Sequence, residues 1–228
     1  MSVTGSEAVG LLGGTFDPVH LGHLRAAQEV RRLMRLPRIL LLPTAVPPHK
    51  APEELSPAHH REAMLRLAVG GREGLEICPL ELNRDRVSFT IDTLRTLRRE
   101  SPDCRPLFVL GMDALLQIST WRSSGELVRE FDLIVIDRPG QTLSAVRGRL
   151  DASLRERIVS VTDGDGSAVD ASRPQPGSGG RIFHLPVEPI PISSSEIREI
   201  VAAGGSLSGL VPPAVAGYIQ RTGLYRQE

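Results

Sequence analysis

Short, unbroken apolar runs alternate with stretches of helical spacing along most of this chain. Val9-Gly10-Leu11-Leu12, Ile39-Leu40-Leu41-Leu42, Leu107-Phe108-Val109-Leu110 and Leu133-Ile134-Val135-Ile136 carry no polar side chain, the pattern of strands buried on both faces. Between them, residues 21–34 place apolar side chains at helical intervals,. Ser56-Pro57 predicts a capped start, with proline at the first helical position, for a helix over residues 60–68,. Residues 75–80 read as a further strand, and Thr90 as the cap of a helix running to about residue 99. A helix is expected near residues 126–129, and a strand over residues 181–185. Ser193-x-x-Glu196 is a capping box that opens a helix, and Gly204 ends it,.

This alternation predicts an α/β chain: a Rossmann-like doubly wound parallel sheet with a small helical C-terminal subdomain. Residues 1–190 are expected to form the α/β domain, and residues 191–228 the helical C-terminal part. Residues 162–180 break the rhythm. Asp163-Gly164-Asp165-Gly166 and Arg173-Pro174-Gln175-Pro176-Gly177-Ser178-Gly179-Gly180 offer almost no apolar surface, so the segment reads as a mobile insertion, not a domain boundary. Ligands of such sheets bind at the carboxyl ends of the strands, so the loops there carry the chemistry.

Composition narrows the function classes. With 27 basic and 27 acidic residues the formal charge is zero, so no global field points to nucleic acid. The longest apolar run is too short to span a bilayer, and residues 1–10 have no apolar signal core. Cys78 and Cys104 lack metal-ligand spacing and are expected as free thiols in a reducing compartment. The expectation is therefore a cytoplasmic protein with no nucleic-acid or membrane partner; homo-oligomerisation is left open. Of the 27 basic side chains one alone, Lys50, is a lysine. A chain so biased to arginine keeps a lysine where a compact, flexible ammonium is needed.

The first chemical constellation is Gly13-Gly14-Thr15-Phe16-Asp17-Pro18-Val19-His20-Leu21-Gly22-His23. It follows a strand and opens a helix, so its amides and the helix N-terminus share an anion site. Gly13 and Gly14 let backbone approach phosphate. His20 and His23, three apart, share one face, and Gly22 between them keeps that face open. Two imidazoles there can donate to an oxygen that gains charge during phosphoryl transfer. In the later capping box, the amides of Ser194 and Ser195 lie free and Arg198 sits within the first turns, placed to fork onto phosphate oxygens.

The stretch from Gly13 to His23 resembles the HxGH signature of the nucleotidyltransferase superfamily, and in particular bacterial nicotinate-nucleotide adenylyltransferases. Further stretches resemble that family in order: Pro47-Pro48-His49-Lys50, Ser88-Phe89-Thr90-Ile91-Asp92-Thr93-Leu94, Gly111-Met112-Asp113-Ala114 with Trp121 downstream, Arg138-Pro139-Gly140, Ile192 to Arg198, and Val211-Pro212 through Gly223-Leu224-Tyr225. The resemblance implies adenylyl transfer from ATP to nicotinate mononucleotide in NAD biosynthesis. It implies His20, His23, Lys50 and Arg198 as catalytic groups that stabilise developing charge. ATP would meet Gly13, Gly14, Thr15, Phe16, Gly22, Gly111, Asp113, Ser193, Ser194 and Ser195, with Asp113 accepting from ribose hydroxyls and residues 191–228 completing the site.

For the mononucleotide, the resemblance implies Phe89, Thr90, Trp121, Arg122 and Arg138. Trp121 would stack on the pyridine ring, with amides near Thr90 and Arg122 receiving its carboxylate. Mg²⁺ would ride on the triphosphate, without a protein cage. Phe89 stands where the family has tyrosine, Ser195 where it has threonine, and the insertion is longer than the simplest family pattern. Two alternatives stay open. Pantetheine-phosphate adenylyltransferases share the first motif and an ISS-type helix, but lack the SFT-IDTL and Trp121 features. A non-catalytic nucleotide sensor is the other, and the intact His20 and His23 argue against it. His49, His59, His60 and His184 show no ligand spacing and read as surface or loop residues.

Overall fold

The computed structural model describes residues 7–44, 55–82, 87–161, 180–188 and 190–226. Lys50 and its loop, and nearly all of the expected insertion, lie outside the described residues.

The apolar runs become strands. β1 (Glu7–Gly14), β2 (Ile39–Pro43), β3 (Leu75–Ile77), β4 (Cys104–Gly111), β5 (Asp132–Ile136), β6 (Ile158–Ser160) and β7 (Ile182–Leu185) pair in one parallel sheet of order β3-β2-β1-β4-β5-β7-β6. The helices are α1 (Leu21–Leu33), α2 (Ala58–Val69), α3 (Thr90–Glu100), α4 (Met112–Leu116), α5 (Ser124–Glu130), α6 (Leu143–Val146), α7 (Ala152–Arg155), α8 (Ser194–Ala202) and α9 (Pro213–Thr222).

Alternate side chains of each strand feed two separate cores. Leu12, Leu41, Val109, Ile134 and Phe183 pack with α1, α2, α8 and α9, through Leu24, Met64, Ile197 and Val215. Leu11, Leu42, Leu110 and Val135 pack on the other face with α3 and α5, through Ile91, Leu94 and Leu127. The sheet is thus doubly wound, as the buried runs require. Residues of α8 and α9 belong to the same core as α1. Among the described residues no helix is long and apolar enough to cross a membrane.

Several local expectations need correction. Pro57, not Ser56, is the N-cap of α2, because Ser56 spends both backbone groups elsewhere: its N–H donates to Asp17 Oδ2 at 3.0 Å and its carbonyl accepts from Arg61 at 2.9 Å. The strand expected over residues 75–80 stops at Ile77. Cys78 N–H still donates to Leu41, but Pro79 cannot donate and a turn to Leu82 follows,. Phe89 caps α3, and Thr90 is its first residue.

The turn between β1 and α1 is held by a buried cation. α2 presents Arg61, Met64, Leu65 and Ala68 to the core, and Arg61 is only 1% exposed. Its guanidinium donates to the carbonyls of Thr15 (2.9 Å), Thr44 (2.6 Å) and Ser56 (2.9 Å). Asp17, fully buried, is the nearby anion, and its charge opposes the effect of burial on Arg61. Arg61→Met should therefore leave these carbonyls without their donor and destabilise the fold by about 3 kcal/mol. Urea denaturation at neutral pH measures this; a loss below about 1 kcal/mol would mean that water replaces the guanidinium.

Candidate functional site

The strand order reverses its direction of growth between β1 and β4, and a cleft of about 300 Å³ opens there at the carboxyl ends of the strands,. Gly13 of β1, Thr44 after β2, Gly111 ending β4 and Arg138 after β5 line it. Phe89 and Thr90 at the start of α3, Asp113 of α4, and Trp121 with Arg122 complete it. Trp121 stands edge-on to Phe108, centroids 6.2 Å apart, and the Arg122 guanidinium lies 4.7 Å from the Phe89 centroid. The loss of the family tyrosine hydroxyl leaves this cation–ring contact intact. Thr90 opens α3, so its amide has no acceptor within the helix.

Gly111 is needed for the cleft's rim. A Cβ there would stand 2.3 Å from Asp113 Oδ1 and 2.4 Å from Arg138 Nε. Without one, Asp113 and Arg138 pair across the strand end at 3.5 Å. Arg138 also borders a narrow slot beside α1, lined by His20, Gly22, Arg25, Ile136, Asp137, Val187 and Ile190 among others. One guanidinium therefore faces both recesses.

The histidine pair sits at the start of α1. His20 is the N-cap, and its backbone N–H donates to His23 Nδ1 at 3.3 Å. In the neutral ring this places the His23 proton on Nε2. The two rings stack at 3.6 Å, and Phe16 packs edge-on against His23 at 5.0 Å. His20 is 5% exposed, not solvent-facing as a helix start suggests. Burial, then the positive charge of Arg138, lower its pKa to about 4, against a smaller opposing effect of Glu196. Burial, the neighbouring His20 and Arg138 hold His23 well below the usual imidazole range. Both rings are neutral at physiological pH.

α8 begins next to this pair. Ser193 Oγ accepts from the Glu196 amide at 3.1 Å, and Glu196 Oε2 accepts from Ser193 N–H at 2.9 Å, the capping box expected from sequence. Ser194 Oγ donates to the Pro18 carbonyl at 2.9 Å, and Arg198 donates to the Asp17 carbonyl at 2.8 Å. These bonds bring Ser193, Ser194, Ser195 and Arg198 to the turn that carries Gly14, Thr15 and Phe16. The Phe16 side chain, 1% exposed, is core beneath His23, so only its backbone is available to a nucleotide.

Other residues were not found by sequence reasoning. The sequence marks Asp17 and Tyr225 only as members of longer motifs; their side chains meet at 2.6 Å. His184 is neither surface nor loop. It is buried in β7, with Nε2 2.9 Å from Asp137 Oδ1, the residue before Arg138. His60 is likewise engaged, its Nδ1 2.8 Å from the Tyr218 hydroxyl. A lone polar residue inside Ile182-Phe183-His184-Leu185 was the available signal, since a buried polar group needs a partner.

A family model described as Cytidylyltransferase-like matches residues 11–200. A Symbiobacterium thermophilum protein named "Probable nicotinate-nucleotide adenylyltransferase" is 41% identical over 217 residues, covering 95% of this chain and 94% of its own. A Pelobacter propionicus protein of the same name is 37% identical over 220 residues, covering 96% and 98%. Among solved structures, Plasmodium falciparum nicotinic acid mononucleotide adenylyltransferase complexed with NaAD superposes with a TM-score of 0.73, at 19% identity over 96% of this chain and 97% of that one. That likeness is one of fold.

The buried histidines have a thermodynamic signature. The folded pKa of His20, about 4, lies below the unfolded value of 6.5, so the unfolded chain binds the extra proton. Stability from this group is complete above pH 6.5 and is lost as pH falls towards 4, by about 3 kcal/mol. Urea unfolding at pH 7 and pH 4.5 should show that loss, and His20→Gln should flatten it. An unchanged slope in the variant would place the acid sensitivity elsewhere.

Proposed function

The chain belongs to the nicotinate-nucleotide adenylyltransferase family, and on that premise we propose how its residues carry the reaction. The enzyme joins the adenylyl group of ATP to nicotinate mononucleotide, giving nicotinate adenine dinucleotide and pyrophosphate in NAD biosynthesis. The observation that carries the residue assignments is the pair of recesses joined by Arg138: an aromatic-walled cleft on one side and the neutral histidine pair on the other.

In this reading the mononucleotide occupies the cleft, its pyridine ring on Trp121 and its carboxylate on the amides of Thr90 and Arg122. Arg138 and the ring of Phe89 border it. ATP lies across the turn from Gly13 to Gly22, with its phosphates between the starts of α1 and α8, against the amides of Ser194 and Ser195. The adenine lies over β1; the slot bounded by Ile136, Val187 and Ile190, of about 20 Å³, is too small to take a purine ring. Asp113 accepts from ribose hydroxyls at the strand end.

The mononucleotide phosphate then attacks the α-phosphorus in line and pyrophosphate leaves, without a covalent enzyme intermediate. The protein supplies position and charge. A neutral His23 with its proton on Nε2 donates to the oxygen that gains charge, and His20 and Arg198 donate beside it. Lys50 is assigned the same role from sequence alone. The groups at this mouth are imidazoles, a guanidinium and amides, which suit phosphate oxygens and not a hard cation such as Mg²⁺. Among the described residues no group of three or more His, Cys, Asp or Glu is placed to hold a metal. Mg²⁺ would ride on the triphosphate and offset part of its charge. A cytoplasmic setting, inferred from the two free thiols, belongs to the same reading.

His20→Ala or His23→Ala should lower turnover by roughly 10²–10³, the scale for one lost transition-state donor. Pyrophosphate release with ATP and nicotinate mononucleotide measures it, and near-normal turnover in either variant would remove that residue from the mechanism. The same assay defines the acceptor. Two amide donors favour a carboxylate and leave the NH₂ of nicotinamide facing a donor, so kcat/KM for nicotinate mononucleotide should exceed that for the amide by about 10² or more. Trp121→Ala should weaken both acceptors while the preference survives. Equal efficiency on the two would defeat the carboxylate site.

A further inference from the structure

The bond between Tyr225 and Asp17 has no part in the mechanism above, yet it lies in the turn between β1 and α1 to which Arg198 is tied. The Tyr225 hydroxyl donates to Asp17 Oδ1 at 2.6 Å. Asp17 Oδ2 accepts from the Ser56 amide at 3.0 Å, so both carboxylate oxygens of a fully buried side chain are engaged. The carbonyl of the same residue accepts from an Arg198 guanidinium nitrogen at 2.8 Å, while the other Arg198 nitrogen reaches Ser195 Oγ at 3.3 Å. Tyr225 adopts φ +65°, a left-handed backbone that bulky residues seldom take unless surroundings hold them there. Burial and the carboxylate raise the pKa of its hydroxyl, which keeps it a donor.

We propose that Tyr225 is a positioning residue for the reaction: by fixing Asp17 it holds the Arg198 guanidinium oriented toward the nucleotide phosphates before ATP arrives. The inference rests on the assignment of Arg198 as a phosphate ligand. An arginine side chain has many rotamers, and one guanidinium nitrogen tied to a fixed carbonyl removes most of them. The carbonyl is fixed only if Asp17 is. Asp17 has no freedom while Tyr225 and Ser56 hold its two oxygens. Without the hydroxyl, a buried carboxylate lacks a donor and the turn shifts to find one. His20 lies three residues further along that turn.

The test is a double-mutant cycle on the full chain, with ATP and nicotinate mononucleotide each varied. Tyr225→Phe removes one oxygen and should lower kcat by about tenfold, the effect of a slight misplacement of a catalytic group, with the KM for nicotinate mononucleotide unchanged. Arg198→Ala should lower kcat further. The double variant should then be within about twofold of Arg198→Ala, since the hydroxyl acts through the guanidinium. Multiplicative losses, or a Tyr225→Phe enzyme as fast as wild type, would overturn the proposal while leaving Arg198 a phosphate ligand. Wild-type turnover in Arg198→Ala would instead overturn both.

Should Tyr225→Phe unfold at the assay temperature, ¹⁹F NMR of the chain labelled with 3-fluorotyrosine replaces it. Tyr218 and Tyr225 are the only tyrosines, and Tyr218→Phe assigns the two signals. The Tyr225 resonance should move when ATP is added and stay still in Arg198→Ala. A resonance indifferent to ATP in the otherwise wild-type chain overturns the proposal.

Discussion

The site depends on how the chain leaves β1. Five residues separate the end of that strand, Gly14, from His20 at the cap of α1, and their backbone groups find partners in neither element. The buried guanidinium of Arg61 satisfies the Thr15 carbonyl, and the half-buried one of Arg198 the Asp17 carbonyl. The carboxylate of Asp17 gathers the Ser56 amide and the Tyr225 hydroxyl. Burying these charges is costly, and only dense hydrogen bonding offsets it. In return the turn has one conformation, and the imidazoles, the α8 cap and Arg198 take their places from it.

Position also sets the charge state. A histidine pair in water would be partly protonated near neutrality. Here burial comes first in holding both rings neutral; the Arg138 guanidinium adds to it at His20, and His20 and then Arg138 add to it at His23. The tautomer of His23 follows from one backbone N–H. In the proposed mechanism, phosphate chemistry at this mouth meets N–H dipoles that are already oriented, beside a small number of fixed positive charges. Such preorganised donors need little rearrangement as charge develops.

Much of this was legible in the sequence, and the exceptions have physical causes. Continuous apolar runs gave the central strands because two-sided burial leaves no polar alternation. The edge strand β6, half exposed and three residues long, carries no such run, and the four-residue helices α6 and α7 are shorter than the period that would announce them. The local motif placed His20 and His23 together because it joins the end of β1 to the start of α1. Long-range polar bonds have no sequence period at all. Arg61 is the instructive case: it sits at the helical interval of Met64, Leu65 and Ala68, so the pattern marked it as core, and only its charge disguised that. Ser56 misled as a cap because its backbone serves a residue 39 positions away.

The contact between Tyr225 and Asp17 joins residues 208 positions apart, so on the ribosome Asp17 is made long before Tyr225. The sheet strands through β7 are complete before Tyr225 exists, and folding of the parallel core can precede it. Until then the Asp17 carboxylate has no hydroxyl to hold, and the turn into α1 lacks one of its restraints. A nascent chain that has been made only as far as α9 holds every strand of the sheet without this bond. Synthesis order thus adds this restraint after the sheet it serves.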